Sequence, residues 1–287
     1  MNLINKTYIL IFTSLLISII STNIFINKYD KYEISTDEIE NHRIVKGDIP
    51  DIWVDGEIIK RDLEKGKNYF VSGKEIFRSY LPPRLIALYS HVFNYKLFEN
   101  WNKKIISSNS NKIYYLIIQS IIYYIILIFF FRQINKFYNT RVCFFIIFFL
   151  AIEPSIFFFH SSFHTESFFF SLQILLLSLM IGESINKIKF VFIGILLGIM
   201  FLQKVVTIYY LIPLSIYYIY KFKKKSIIPL LIITLFYLSI LLMVGFTNYK
   251  RANVFYIMPP SSKITFYLYL PAEILVKNKK ISYQEAN

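Results

Sequence analysis

A single cysteine, Cys143, is present in this chain of 287 residues, and it lies inside an apolar run. One thiol excludes a disulfide scaffold and a cysteine-based zinc cluster, and the apolar setting indicates a small buried hydrophobe. With 8 Gly and 9 Pro, the chain is also too poor in both residues to be collagen-like or of low complexity.

Charge is scarce as well, because only 17% of the residues are charged, whereas about 25% is usual in soluble domains. The chain is 55% hydrophobic and 19% aromatic. A net charge of +14 would indicate nucleic acid binding in a soluble protein, but the apolar fraction excludes that interpretation. The composition predicts an integral membrane protein in contact with lipid, with no nucleic acid partner.

Seven apolar runs approach the about 20 residues that a helix needs to cross a bilayer. The first is interpreted as an uncleaved helix and not as a signal peptide, because no small-residue cleavage site follows it. Gln203 and Lys204 alone separate the fifth run from the sixth, which predicts a tight turn at the membrane surface. The runs cover residues 8–26, 113–131, 142–159, 163–182, 190–202, 205–220 and 227–246.

The Lys and Arg residues between these runs predict the orientation, because cytoplasmic loops are enriched in both. Three short loops on one side of the predicted bundle are basic, and those on the other side hold only Lys204. The N-terminus is therefore expected in the cytoplasm, in a multi-pass protein of a bacterial inner membrane. The basic residues are Arg132, Lys136, Arg141, Lys187, Lys189, Lys221, Lys223, Lys224 and Lys225.

The sequence thus predicts an all-α polytopic membrane protein with one transmembrane domain over residues 1–287. Residues 27–112 form a long extracytoplasmic loop, and residues 247–287 form an extracytoplasmic tail. Two stretches of the loop, 58–65 and 85–98, are predicted to be amphipathic helices at the membrane surface. Pro82, Pro83 and Arg84 are expected to separate them.

Ionisable residues at a membrane edge are candidates for function, because burying a charge in hydrocarbon costs several kcal/mol. Glu153, His160, His164, Glu166 and Lys204 all fall at the predicted outer ends of helices. This clustering predicts a polar cavity that faces the long loop.

Each candidate also has a purely structural interpretation. Glu166 could stabilise a helix N-terminus, Lys204 could extend to the interface, and Glu153 could be a hydrogen-bonded buried acid. The four-residue spacing of His160 and His164 is that of metal ligands on one helical turn, although the predicted turn separates them. The metal question therefore stays open, with a divalent metal as one candidate cofactor.

Residues 153–169, Glu-Pro-Ser-Ile-Phe-Phe-Phe-His-Ser-Ser-Phe-His-Thr-Glu-Ser-Phe-Phe, resemble a motif of the GT-C superfamily of membrane glycosyltransferases. The superfamily includes protein O-mannosyltransferases and the aminoarabinose transferases of lipid A. Gly47-Asp48 with Asp51 is similar to the acidic motif of its first outer loop, and residues 80–84 are similar to a Pro-Pro turn further along that loop.

The resemblance implies an inverting transfer of a sugar from a polyprenyl-phosphate donor to a hydroxyl of a glycan, lipid or protein acceptor, at the outer face. It assigns the general base to Asp48 or Asp51, with Glu166 orienting the acceptor, a metal or Lys204. Arg84 and Lys204 are then the cations for the lipid phosphate, while Glu153 and His164 shape the acceptor site. Members of the superfamily continue with further helices, so the tail is expected to be incomplete.

Three other functions compete with this one: a non-catalytic membrane subunit, a small transporter, and an inactive fragment of a glycosyltransferase. Transporters typically have broken helices and polar residues near the bilayer midplane. The sequence predicts neither feature, and Gly194 and Gly198 are interpreted as positions of close helix packing.

Overall fold

The computed structural model describes part of the chain, and everything below concerns that part. It covers residues 2–29, 49–68, 81–94, 98–100, 105–106, 110–160, 166–181 and 186–252, together with residues 255 and 257.

The described chain is all-α apart from one short strand pair. Antiparallel strands β1 (Phe98–Asn100) and β2 (Ile105–Ile106) form that pair. The helices are α1 (Leu3–Tyr29), α2 (Ile49–Glu64), α3 (Leu81–Val92), α4 (Ser110–Ile134), α5 (Thr140–Ile152), α6 (Pro154–His160), α7 (Glu166–Met180), α8 (Lys187–Gln203), α9 (Leu211–Phe222) and α10 (Ile227–Ala252), with 3-10 helices at Val205–Tyr210 and Lys223–Ser226.

Two apolar cores hold the helices together. The first lies between α1, α4 and α5, around the buried side chains of Ile11, Leu127 and Ile147. The second lies between α7, α8, α9 and α10, around Phe190 and Leu197. Helix α4 contacts α7 closely, so the two cores form one continuous bundle.

Successive long helices run in alternating directions, as their side-chain contacts show. Arg132 Nε near the end of α4 donates to Tyr8 Oη near the start of α1 at 3.4 Å. Phe190 at the start of α8 contacts Phe222 at the end of α9. This alternation brings the basic residues between the helices to one end of the bundle, which we call the basic end; the opposite end is the far end.

At the basic end, two helices begin at asparagine N-caps, which satisfy backbone N–H groups that lack a partner within the helix. Asn139 caps α5 and Asn186 caps α8. Lys189 Nζ donates to the carbonyl of Ile181 at 3.0 Å. Burial, reinforced by repulsion from Lys221, lowers the pKa of Lys189 below its usual range.

Three stretches of the described helices are long and apolar enough to cross a membrane: Leu3–Ile24, Ile113–Ile134 and Val205–Lys250. The last is not one straight rod, because Lys223 has a φ of 50° and the chain reverses between α9 and α10. Large apolar side chains cover the outside of the bundle. On α10 alone, Ile227, Ile228, Leu231, Leu235, Leu238, Leu242 and Phe246 are exposed, a surface suited to lipid.

The third apolar run is not a single helix, contrary to the sequence interpretation. Pro154 disfavours helical backbone at the residue before it, and Glu153 has an extended ψ of 117° that ends α5. Tyr123 Oη donates to the carbonyl of Leu150 at 2.7 Å, and the Tyr123 ring lies 4.9 Å from the His160 ring. The last turn of α5 and the last residue of α6 therefore both lie near Tyr123.

The close packing predicted for Gly194 and Gly198 is confirmed. A Cβ atom at Gly194 would lie 2.6 Å from the carbonyl oxygen of Ile233, and one at Gly198 would lie 2.5 Å from Ile240 Cδ1. Helices α8 and α10 therefore approach each other along a seam where glycine leaves room for the opposite helix.

The two amphipathic helices of the first loop form a packed pair at the far end. A Cβ at Gly56 on α2 would lie 3.2 Å from the Pro83 carbonyl of α3, and Tyr89 on α3 contacts Tyr115 on α4. Pro82 and Pro83 do not separate the helices as the sequence suggested. They lie in the first turn of α3, where a missing N–H costs nothing.

Candidate functional site

An ion pair joins two helix ends at the far end of the bundle. Lys204 Nζ donates to Glu166 Oε1. Glu166 is the first residue of α7, and Lys204 is the C-cap of α8. An acid at a helix N-terminus and a cation at a C-terminus both complement the helix dipole. The sequence suggested that Glu166 orients the acceptor, a metal or Lys204, and in the structure it is paired with Lys204.

The backbone around Lys204 fixes the position of this side chain. Its N–H donates to the carbonyl of Met200 at 2.8 Å, and its carbonyl accepts from Thr207 Oγ1 at 2.9 Å. The ammonium also lies 5.6 Å from the Phe169 ring centroid, a distance at which a cation and an aromatic face attract each other. The tight turn predicted at residues 203–204 is thus confirmed.

The pair remains accessible to a ligand. The side chains of Lys204 and Glu166 are 29% and 28% exposed. An ammonium has three N–H donors, and one donor of Lys204 is used on the Glu166 carboxylate. An anionic group that reaches the far end could therefore share Lys204 with Glu166.

Arg84 lies on α3, where 2% of its surface is exposed. Helix α3 contacts α8, and Phe168 of α7 lines the same groove as Tyr89 of α3. Two of the predicted cations therefore come from helices that meet at one end of the bundle.

Asp51 lies in the first turn of α2, and its side chain is outside the described part. It precedes Gly56, the residue that packs against Pro83, by roughly 7.5 Å of helix rise. The α2–α3 pair therefore attaches the first-loop acid to the helix that carries Arg84. Asp48 and His164 lie outside the described residues.

Glu153 is the C-cap of α5, at the end of that helix that points away from the basic end. It lies at the break between α5 and α6, near Tyr123, and its carboxylate accepts a hydrogen bond from Ser155 Oγ at 2.8 Å. Glu153 therefore lines a pocket that the Glu166–Lys204 pair does not line.

Three polar contacts between elements of the bundle were not predicted from the sequence. His160 Nδ1 lies 3.2 Å from Ser18 Oγ, which lies 3.2 Å from Ser120 Oγ. Gln173 Nε2 donates to the Tyr210 hydroxyl. One signal was available in α1, where small polar and apolar residues recur at helical spacing. The buried residues of this series are Thr7, Ile11, Ser14, Ser18 and Thr22.

The two histidines offered as metal ligands cannot be compared as a pair, since residue 164 is outside the described ranges. Within those ranges, no group of three or more His, Cys, Asp or Glu side chains is placed to hold a metal ion.

The strength of the Glu166–Lys204 pair can be measured with a double-mutant cycle. We expect Glu166→Gln and Lys204→Met each to lower the free energy of unfolding, because each leaves a half-buried charge without its partner. The coupling energy is expected to be about 0.5–3 kcal/mol, measured by denaturation in detergent.

The Lys67–Asp62 pair provides the matched control. Its atoms lie 2.7 Å apart, but Lys67 is 60% exposed, so Lys67→Met with Asp62→Asn should give a smaller coupling of about 0.2–1 kcal/mol. Strict additivity of Glu166→Gln and Lys204→Met would show that the ion pair contributes nothing to the fold.

No family model, curated protein or solved structure matches this chain. Its function is therefore argued from its own residues.

Proposed function

We propose that this protein is a membrane glycosyltransferase that moves a sugar from a polyprenyl-phosphate donor to a hydroxyl acceptor. The observation that carries the proposal is the Glu166–Lys204 ion pair, because it joins the acid of the motif at residues 153–169 to a cation from a separate helix. Phosphate leaving groups need such a fixed cation as their charge develops.

The proposal includes seven crossings, with the N-terminus and the basic end in the cytoplasm and the far end outside. Three apolar stretches, the alternating helix directions and the basic residues gathered at one end support it. Cytoplasmic loops are the ones enriched in Lys and Arg.

In the proposed reaction, the acceptor hydroxyl attacks the anomeric carbon as its proton passes to the carboxylate of Asp48 or Asp51. The bond from the anomeric carbon to the phosphate oxygen breaks, and the lipid phosphate leaves with its electron pair. Lys204 and Arg84 stabilise that phosphate charge, and Glu166 holds Lys204 in place. A single displacement of this kind inverts the anomeric configuration.

Single substitutions in the native host test this assignment. Asp48→Asn, Asp51→Asn and Glu166→Gln are to be made one at a time, and glycosylation of the cell envelope measured. We expect Glu166→Gln and at least one of the two Asp variants to lose about 10²-fold or more in glycosylation. Glu64→Gln, which removes an exposed acid on α2, is the matched control. Normal glycosylation by all three variants would refute the assignment.

A small transporter is the second candidate, and the break between α5 and α6 favours it. Broken helices are typical of transporter binding sites, and the ionisable Glu153 lies at such a break. If Glu153→Gln abolishes the cellular function while Glu166→Gln preserves it, the transporter is the better description.

A further inference from the structure

A half-open pocket of about 560 Å³ lies on the surface of the bundle, beside the break between α5 and α6, and Glu153 and Leu177 are exposed at its rim. We call it the Glu153 pocket. Its volume is within the about 300–1,000 Å³ that is usual for ligand sites. Helices α4, α5, α6, α7 and α9 and the first 3-10 helix line it. The Glu166–Lys204 pair does not line it.

The walls of the pocket are apolar over most of their surface. Ile156, Phe170, Ile174, Leu177 and Met180 supply much of this lining. Such walls accept a hydrocarbon chain, because burying apolar surface is favourable by about 25 cal/mol per Å² in water. Because the outer faces of these helices suit lipid, a ligand of this pocket could enter from the bilayer.

The polar groups of the pocket are few, and their charge has one sign. Among the described residues that line the pocket, Glu153 is the one acid, and no Lys or Arg is present. Ser155 donates to the Glu153 carboxylate at 2.8 Å, while Gln173 and Tyr210 hydrogen-bond to each other on another wall. A carboxylate between apolar walls repels phosphate and sulfate groups and attracts a cation.

We propose that the Glu153 pocket binds a single-chain amphiphile with a cationic headgroup, such as a long-chain amine. The hydrocarbon chain lies between α6 and α7, and the ammonium group pairs with the Glu153 carboxylate. This pairing offsets the cost of holding a carboxylate beside apolar walls. The inference does not depend on the proposed sugar transfer, since a lipid phosphate would be repelled from this pocket.

Binding of radiolabelled dodecyltrimethylammonium to the purified full chain in nanodiscs tests the proposal, with empty nanodiscs as the background. We expect saturable binding that Glu153→Gln weakens by about tenfold or more, because a charge-assisted contact is lost. Glu64→Gln removes an exposed acid on α2 and should bind as the parent chain does. Unlabelled dodecylamine should compete, and dodecyl phosphate should not.

A second variant keeps the test decisive if Glu153→Gln does not fold. Ile174 lines the pocket and is buried, so Ile174→Trp puts bulk into the pocket, leaves Glu153 in place and should also abolish saturable binding. Unchanged binding by a folded Glu153→Gln or Ile174→Trp variant, or competition by dodecyl phosphate equal to that by dodecylamine, would overturn the proposal.

Discussion

A Lys204→Met variant is expected to release polyprenyl phosphate from a sugar donor about 10²- to 10³-fold more slowly than the parent chain. In the proposed site, Lys204 faces the phosphate charge that develops as the glycosidic bond breaks. Its backbone is fixed at the end of α8, and its ammonium is held by Glu166. A fixed donor of this kind needs no reorganisation during the reaction, which is why its loss is costly.

The rate is to be measured in membranes of the native host, where the acceptor is present. Lys204→Arg keeps the charge but changes the donor geometry, so it should retain part of the rate. Lys250→Met is the matched control, because Lys250 is an exposed cation near the far end of α10. Equal rates for Lys204→Met and Lys250→Met would mean that Lys204 has no special role.

The second large effect is expected at the seam between α8 and α10. Gly194→Ala should lower the free energy of unfolding by about 1–3 kcal/mol, the usual cost of overpacking. The new Cβ would lie 2.6 Å from the Ile233 carbonyl oxygen and 2.9 Å from Phe236 Cβ. A backbone atom cannot move aside without shifting its helix. Helix propensity alone predicts the opposite sign, a gain of about 1 kcal/mol.

Gly245→Ala is the comparison that separates these two effects. Its nearest neighbours are ring atoms at the tip of the Phe255 side chain, which can swing aside, so its loss of stability should be smaller. Denaturation of both variants in detergent measures the difference. If Gly194→Ala proves as stable as the parent chain, then the two helices do not meet as closely as described.

Much of the helical content could be predicted from the sequence, because long apolar runs have few alternatives. The runs at residues 8–26 and 113–131 lie within α1 and α4. The glycine seam and the tight turn at Lys204 were also predictable, since each depends on local chemistry. Glu166 was expected at a helix start for the same reason.

The pocket beside Glu153 could not be predicted, because its lining comes from five helices that are distant in sequence. The break itself was signalled locally by Glu153-Pro154. The contact between Glu166 and Lys204 likewise depends on how α7 and α8 pack. No pattern within either helix encodes that distance.

Binding of a radiolabelled polyprenyl-phosphate sugar to the purified chain, with and without a divalent metal, tests the central claim most directly. We predict saturable binding by the parent chain that Lys204→Met weakens strongly, because the phosphate loses its cation. Absence of saturable binding under both metal conditions, or equal binding by the Lys204→Met variant, would contradict the account.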